Sequence, residues 1–268
     1  MNHLLRELAP IPDAAWEEID AEARRSLKHY LAARRLIDFS GPLGWEYSSV
    51  GLGRTETLPE LLAEGVEAAG RKVLPIVEFR APFSLESVEL ADAERGARDL
   101  DLSAVIAASR SAALAEDGAI FHGYGAGGIN GIVPSSPHDA VTITDDYAHY
   151  PEHVAKAVAL LRNAGVAGPY AIAMGARCYT GVIETTEHGG YPVFEHLRNI
   201  LGGDVIWAPA VNGAVIVSQR GGDFEITVGQ DFSIGYSSAD GDAVQLYIEE
   251  SFAFRIKTPE AAVHLAHR

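Results

Sequence analysis

Apolar and polar side chains alternate most regularly late in the chain. Over residues 223–228 the alternation has a period of two, which predicts a half-buried β-strand. Apolar runs at residues 214–217 and 244–256 flank this strand, and the second run would extend about 40 Å as a strand. Strands in compact domains usually have about five or six residues, so a long antiparallel meander favours an extended subunit over a globular enzyme.

Helical spacing is found in the remaining apolar pattern. Residues 14–35 place apolar side chains at steps of three and four, which predicts one long helix with Asp13 as its N-cap. Acids in its first half and bases in its second half complement the helix dipole. Further helices are predicted at residues 103–121, 151–165, 177–185 and 192–201, and short strands at residues 170–174 and 204–207.

The other segments predict an elongated α+β frame around an α/β layer. Residues 49–71 are polar and glycine-spaced, and we interpret them as a protruding β-hairpin or loop. Residues 72–85 alternate as a strand, but Pro75 and Pro82 limit how centrally this strand can pair. Residues 135–210 are predicted to form the α/β layer.

Composition narrows the class of protein. The chain has 268 residues, of which 47% are hydrophobic, and no apolar run reaches the length of a membrane span. The start lacks the apolar region of a signal peptide, and the single cysteine, Cys178, excludes an intramolecular disulfide, so we expect a cytoplasmic protein. The net charge of −16 argues against nucleic-acid binding. Solubility explains this charge more simply than an acidic pore that handles cations.

Candidate catalytic motifs lack the context that their chemistry needs. Residues 123–128 match the glycine spacing of a dinucleotide-binding loop, but a predicted helix precedes them where that motif needs a strand. Cys178 has His188 and His196 near it in sequence, which would allow a cysteine nucleophile. A buried, inert thiol is the simpler interpretation, and we predict no catalytic residue.

One group of acids and a histidine could meet a cation. Glu184, Glu187 and His188 could do so where subunits converge, because carboxylates and imidazoles are common metal ligands. A solvated loop is the simpler interpretation of these residues. We therefore predict no metal site.

Two pairs of neighbouring acids are candidates for acid–base pairs. Glu116 and Asp117, like Glu249 and Glu250, are expected to be solvated. Neighbours in a strand point to opposite faces, so the second pair cannot act together. Glu250 interrupts an apolar face, and we expect it to pair with a base such as Arg220 or to lie at a subunit contact.

Several segments, in order along the chain, resemble one known family. They are LLRELAPIPDAAWEEID, RRLIDFSGPLGWEY, ELADAERGARDLDL, AEDGAIFHGYGAGGINGI, GPYAI, EHGGYPVFEHL, VIWAPAVNGAVIVSQRGGDFEITVGQDFSIGY and EESFAFRI. Together they resemble, nearly from end to end, the shell proteins of the family 1 encapsulins, once described as linocin-type bacteriocins. The block from RGGDF to GQDFSIGY is the specific part of this resemblance.

The resemblance implies an α+β fold, that of the HK97 phage capsid protein. It divides the chain into an N-terminal helix and arm (1–45), an E-loop (46–80), a P-domain (81–134 and 211–268) and an A-domain (135–210). It also implies that copies assemble into an icosahedral shell, with T=1 expected. Such a shell encloses a cargo enzyme, a dye-decolorising peroxidase or a ferritin-like protein, through the C-terminal targeting peptide of that cargo, and admits small solutes through pores.

In this family the cargo peptide binds between the N-terminal helix and the P-domain. The resemblance carries this groove to Leu31, Arg34, Asp38 and Phe39 on one side and to Asp231, Phe232, Ile234 and Tyr236 on the other. An apolar trough with charges of both signs suits an extended apolar peptide. Phe232 and Ile234 would equally suit a hydrophobic core, and the residues alone leave both interpretations open.

The resemblance also implies a five-fold pore and a possible cofactor. The pore loop corresponds to Glu187, His188, Gly189, Gly190 and Tyr191, one glycine longer than the EHGYP form of the family. Some members bind a flavin through a tryptophan and a tyrosine. The tryptophan position corresponds here to Ser87, so we predict no flavin.

Three other functions are alternatives to a shell protein. A prophage major capsid protein would share the fold, but it normally needs a scaffolding region, and no helical prosegment is seen ahead of Asp13. A cysteine hydrolase would depend on Cys178. A secreted antibacterial protein is disfavoured because no signal peptide is found.

Overall fold

The computed structural model describes residues 3–59, 63–187 and 189–267 of the chain. Its α-helices are α1 (Asp13–Tyr30), α2 (Ser87–Glu94), α3 (Ser103–His122), α4 (Ile132–Ser135), α5 (Tyr150–Asn163), α6 (Ala176–Glu184) and α7 (Val193–Leu201). Its strands are β1 (Asp38–Ser40), β2 (Ser49–Leu58), β3 (Ala68–Pro75), β4 (Val77–Glu86), β5 (Val141–Ile143), β6 (Tyr170–Met174), β7 (Val205–Trp207), β8 (Ala214–Ser218), β9 (Phe224–Val228), β10 (Ser233–Ala239), β11 (Ala243–Ile256) and β12 (Ala262–His267).

The 14-residue strand β11 organises the first sheet. Its residues 243–252 pair antiparallel with β4, residues 244–249 with β10, and residues 252–256 with β9. Strand β1 adds parallel to β9, and β10 lies at an edge of the sheet. The predicted long strand is therefore confirmed. The predicted meander is wrong, because β9 and β10 both pair with β11 and β8 belongs to another sheet.

The second sheet has the strand order β5–β12–β8–β6–β7 and shares a core with α5, α6 and α7. The predicted α/β layer at residues 135–210 supplies β5, β6 and β7. Strands β8 and β12 come from residues 211–268, so this sheet crosses the predicted boundary at residue 210. Because β8 is buried along its whole length, its continuous apolar pattern could not show which sheet it joins.

Strands β2 and β3 form the predicted hairpin. They pair antiparallel from Ser49 opposite Pro75 to Leu58 opposite Ala68, and most of their residues are exposed. The single strand predicted over residues 72–85 is wrong, because the chain divides it at Ile76 into β3 and β4. Among the described strands β4 pairs only with β11, in agreement with the edge position that the prolines predict.

Helix α1 is shorter than predicted. It begins at Asp13, whose side chain makes no capping hydrogen bond, so the predicted N-cap is wrong. It ends at Tyr30, and one 3₁₀ turn follows after a short break. The backbone N–H groups of Ala32 and Ala33 donate to the carboxylate of Asp117 at 2.9 and 3.0 Å. These bonds to α3 turn the chain out of the helix.

The other predicted helices and short strands lie within two residues of their expected positions. Helix α2 was not predicted, because it is short and has no clear apolar stripe. Among the described residues, no helix is both long and apolar enough to cross a membrane.

Helix α1 lies against α3 and the first sheet. Its buried residues, Ala15, Ile19, Ala23 and Leu27, join apolar side chains of α3, β4, β10 and β11 in one core. Beside this core, α1 and the edge strand β10 leave an open groove. This groove is the candidate site.

Candidate functional site

The groove between α1 and β10 contains a cavity of about 730 Å³. Its floor is apolar, and charged side chains lie along its rim. Cavities that bind ligands commonly fall in this size range and combine apolar walls with a few polar groups. Its lining residues are Leu4, Arg6, Asp20, Ala23, Arg24, Leu27, Lys28, Leu31, Arg34, Arg35, Asp231, Phe232, Ser233, Ile234 and Ile248.

Most residues predicted for the peptide groove line this cavity. They are Leu31, Arg34, Asp231, Phe232 and Ile234. Asp38, Phe39 and Tyr236 are not among its lining residues.

Of the remaining three predicted groove residues, Phe39 and Tyr236 contact residues that line the cavity, whereas Asp38 binds elsewhere. Phe39 is 42% exposed, and its ring centroid is 5.2 Å from the guanidinium carbon of Arg34. The Asp38 carboxylate accepts a hydrogen bond from the backbone N–H of Gly222 at 2.6 Å. The backbone N–H of Tyr236 donates to the carbonyl of Leu4, which does line the cavity.

Arg34 connects three separate parts of the fold at one end of the groove. Its Nε donates to Glu116 of α3 at 2.9 Å, and its Nη1 donates to Asp231 at 2.8 Å. Its Nη2 donates to Glu250 of β11 at 3.1 Å. The guanidinium carbon also lies 4.8 Å from the ring centroid of Phe232, within cation–π range. The planar guanidinium is therefore fixed in position and orientation.

Two of these carboxyl groups are buried, in contrast to the expectation of solvated acids. Glu116 is fully buried, and Glu250 is 1% exposed. The prediction that Glu250 pairs with a base is confirmed, but that base is Arg34. The named candidate, Arg220, instead pairs with Asp223 at 2.8 Å.

Glu249 and Asp117 are buried as well, so their expected solvation is also wrong. Glu249 accepts hydrogen bonds from Arg80 at 2.7 Å and contacts His3 at 2.8 Å. Glu249 and Glu250 thus use different partners on opposite faces of β11, in agreement with the geometry of a strand.

Burial changes the protonation of the acids around Arg34. Burial first, and then the charge of Glu116, raise the pKa of Glu250 well above the usual carboxyl range. Burial disfavours the charged form of Arg34, but attraction to the nearby carboxylates is the stronger effect and raises the Arg34 pKa. Arg34 therefore stays charged, while the protonated form of Glu250 is favoured. This end of the groove is less negative than its three carboxyl groups would suggest.

Asp117 is a functional neighbour that sequence reasoning missed. It is fully buried in α3, and burial raises its pKa to about 7 against the opposing effect of the two backbone hydrogen bonds from residues 32 and 33. It thereby fixes the turn that carries Arg34. The available signal was the position of two adjacent acids between the apolar stretches 112–115 and 119–121 of one helix, because acids that are buried there need hydrogen-bonding partners.

The loop predicted to form a pore lies between α6 and α7. His188 lies outside the described residues. Glu187 contacts His196 Nδ1 at 2.6 Å, and its backbone N–H donates to the carbonyl of Tyr191 at 2.8 Å. Gly189 and Gly190 have φ values of 113° and 80°, which favour glycine. Tyr191 is 46% exposed at the base of this loop.

Cys178 is buried, as predicted, but its histidine partner was not foreseen. The hydroxyl of Tyr150 donates to Sγ at 3.2 Å, and Nε2 of His267 lies 3.2 Å from Sγ. The candidate partner His196 instead contacts Glu187. Burial raises the pKa of the Cys178 thiol, which opposes formation of a nucleophilic thiolate.

Two further candidate sites, one for a cation and one for a flavin, come from the sequence and its family resemblance. Within the described ranges, no group of three or more His, Cys, Asp or Glu side chains is arranged to hold a metal ion. Ser87, at the position implied for a flavin-binding tryptophan, begins helix α2. The absence of a flavin remains a prediction.

Comparison with known proteins gives one consistent family. The family described as "Encapsulating protein for peroxidase" matches residues 1–253. The type 1 encapsulin shell protein of Rhodospirillum rubrum is 51% identical, and the match covers 99% of this chain and 96% of the relative. The type 1 encapsulin shell protein of Mycobacterium tuberculosis is 43% identical, with all of both chains covered.

A solved structure is similar to the fold as a whole. The virus-like particle of Pyrococcus furiosus matches with a TM-score of 0.65 at 20% sequence identity. The match covers 92% of this chain and 97% of that chain. At this identity, the similarity establishes the fold and leaves function to be argued from the site.

Proposed function

The chain belongs to the encapsulin shell proteins, and from this premise we propose that its copies form a closed T=1 compartment around a cargo enzyme. The predicted family and the predicted HK97-type capsid fold are confirmed. The protein is a structural shell protein and not an enzyme. A prophage capsid protein is the less favoured alternative, because the close full-length relatives are encapsulin shell proteins.

The groove beside Arg34 is the observation that supports cargo capture. Its cavity of about 730 Å³ is lined by the apolar side chains of Leu27, Leu31, Phe232 and Ile234. Leu31 and Phe232 remain partly exposed although they border a hydrophobic core. An extended peptide would cover these side chains and remove apolar surface from water.

The cargo peptide is expected to be extended and to carry apolar side chains at alternating positions. Successive side chains of an extended peptide point to opposite sides, so every second one would enter the groove. The fixed guanidinium of Arg34 and the partly exposed Asp231 supply polar contacts that orient the peptide. We assign this peptide to the C-terminus of a peroxidase or ferritin-like cargo, and the family description favours the peroxidase.

Solute entry is assigned to the loop from Glu187 to Tyr191. Five copies of this loop around a symmetry axis would surround an opening with glycines, carboxylates and tyrosine rings. The two consecutive glycines with positive φ support a compact loop that could approach its symmetry mates closely. In this proposal the compartment is cytoplasmic and serves iron storage or defence against oxidants through its cargo.

Particle size tests the assembly. A single folded chain of this length should have a radius of gyration of about 18 Å. Expression of the chain alone, followed by light scattering and negative-stain imaging, should give uniform hollow particles many times larger. A monomer or small oligomer would contradict the proposed compartment.

Cargo loading tests the groove. A fluorescent protein carrying the C-terminal segment of a dye-decolorising peroxidase should co-purify with the particles when the two are co-expressed. Phe232→Ala should lower loading several-fold, because a large apolar wall of the groove is removed. Val88→Ala removes an exposed apolar side chain of α2 outside the groove and serves as the control. Equal loading by both variants would contradict this assignment.

A further inference from the structure

Residues 3–8, which we name the N-terminal strap, are tied to the first sheet at the end of the groove opposite Arg34. The carbonyl of Leu4 accepts a hydrogen bond from the backbone N–H of Tyr236 in β10 at 2.8 Å. His3 Nε2 lies 2.8 Å from the carboxylate of Glu249 in β11. The His3 ring also stacks on Trp45, with ring centroids 3.9 Å apart. These contacts fix one end of the strap to the sheet side of the groove.

The strap is also tied to α1, the opposite wall of the groove. Both terminal nitrogens of Arg6 donate to the carboxylate of Asp20, at 3.0 and 2.8 Å. The Arg6 guanidinium carbon lies 3.9 Å from the ring centroid of Trp16, also on α1. A bidentate pair of this kind fixes direction as well as distance. The strap therefore crosses from β10 to α1.

The strap forms a wall of the cavity and not only a cover over it. Leu4 is 7% exposed, and both Leu4 and Arg6 line the cavity. Along α1, the distance from Asp20 to the end of the helix at Tyr30 is about 15 Å, at about 1.5 Å per residue. An extended peptide advances about 3.3 Å per residue, so about four or five residues fit between the strap and the Arg34 end.

We propose that the strap is an end stop that makes the groove select the end of a peptide chain over a segment within a chain. This inference rests on the proposed cargo groove. A chain that continues past the strap must break the pair between Arg6 and Asp20 and the bond between Leu4 and Tyr236. A chain that ends at the strap breaks neither. Arg6 acts as a positioning residue, because it holds the wall in place through Asp20.

Two forms of one carrier test the end stop. A fluorescent protein is given the C-terminal tail Gly-Leu-Ser-Val-Ser-Leu-Ser as the probe, and a second form continues this tail with six glycine and serine residues. Each form is co-expressed with the full chain, and the fluorescence per purified particle is measured. Wild-type particles should load the continued tail at least about tenfold less, because passage past the strap displaces a partly buried ion pair and a backbone hydrogen bond.

Variants of the Arg6–Asp20 ion pair test whether the strap causes the difference in loading between the two tails. Arg6→Ala and Asp20→Asn should each reduce the difference between the two tails to about twofold or less, and the double variant should add little, because both changes break the same contact. Arg25→Ala is the matched control. It removes an arginine that is paired with Glu22 on the same helix but does not line the cavity, and it should keep the full difference.

The outcomes separate the end stop from the proposed function. Equal loading of both tails by wild-type particles would overturn the end stop while supporting the groove. A difference that persists unchanged in Arg6→Ala and Asp20→Asn would also overturn it. If neither the probe tail nor the peroxidase tail loads into wild-type particles, the proposed function itself fails.

Discussion

Arg34 and Glu116 form a charged hydrogen-bonded pair in which the glutamate is fully buried and the arginine side chain is 16% exposed. The same guanidinium also contacts Glu250, so one cation serves two buried carboxyl groups. Removal of one partner from such a cluster costs more than the pair contributes, because it leaves the other charge buried and uncompensated. The stability of the groove therefore depends on Arg34.

Arg34→Ala should destabilise the particle strongly. Loss of the only cation bonded to Glu116 among the described residues should cost about 3–5 kcal/mol, which corresponds to a fall in Tm of about 10 °C for a chain of this size. Thermal unfolding monitored by tryptophan fluorescence gives the shift. Arg35→Ala, the exposed neighbour, is the control and should change Tm by less than about 2 °C. Similar values for both variants would show that the cluster contributes little.

The raised pKa of Glu250 predicts loss of stability at alkaline pH. The folded state favours the protonated form of Glu250. The contribution of this carboxyl group to the free energy of unfolding is therefore complete below its pKa in the unfolded chain, about 4. The contribution is then lost as pH rises through the raised folded pKa. Glu250→Gln replaces the neutral acid with a neutral amide of the same shape. The Tm of this variant should fall less than that of the wild type between pH 5 and pH 9, approximately.

Asp117 also affects how Tm changes with pH, and its effect should be the same in the wild type and in Glu250→Gln. Its folded pKa of about 7 predicts a loss of stability as pH rises from the ordinary carboxyl range to neutrality. This loss should be present in the wild type and in Glu250→Gln alike. Parallel Tm curves for the two proteins over the whole range would mean that Glu250 does not contribute.

Cys178 should react slowly with thiol reagents in the folded protein. It is 1% exposed, and burial raises its pKa, so both access and thiolate formation are opposed. Labelling with a chromogenic disulfide reagent at about pH 8 should be far slower in the native particle than in denaturant. Rapid, complete labelling of native particles would point to an accessible thiolate and would reopen the cysteine hydrolase hypothesis.

Gly235 should not tolerate a side chain. A Cβ atom at this position would lie 2.2 Å from the ring of Tyr247, which pairs directly with Gly235 across β10 and β11. Gly235→Ala should therefore destabilise the edge strand by about 1–3 kcal/mol, as overpacking does. Gly51→Ala in the hairpin meets no atom within 4 Å and is the control. If the two variants unfold at the same temperature, Tyr247 moves aside freely.

The sequence supported local predictions better than long-range ones. The length of β11 follows from an alternation within one segment, and the hairpin follows from its glycines and polar residues. Arg34 and Glu250 are separated by 216 residues, and nothing in either segment names the other as a partner. Arg220 was a reasonable candidate, but Asp223, three residues away, already binds it.

The candidate site could be predicted only in part, because it too depends on contacts between distant segments. The resemblance supplied the two long walls of the groove, including Leu31 and Phe232. Neither the pattern nor the resemblance indicated that Leu4 and Arg6 would line it, because the contacts that hold the strap depend on how β10 and α1 are brought together.

The pairing of β11 has a consequence for synthesis on the ribosome. Strand β4 begins at residue 77, but its partner residues in β11 extend from 243 to 252. The nascent chain must therefore wait, with β4, α1 and α3 already made, until the ribosome has translated residues 243–252. Apolar surfaces that later meet β11 stay uncovered during this interval, when aggregation competes with folding. The groove, which is lined by residues of β10 and by Ile248 of β11, is consequently expected to form late in synthesis.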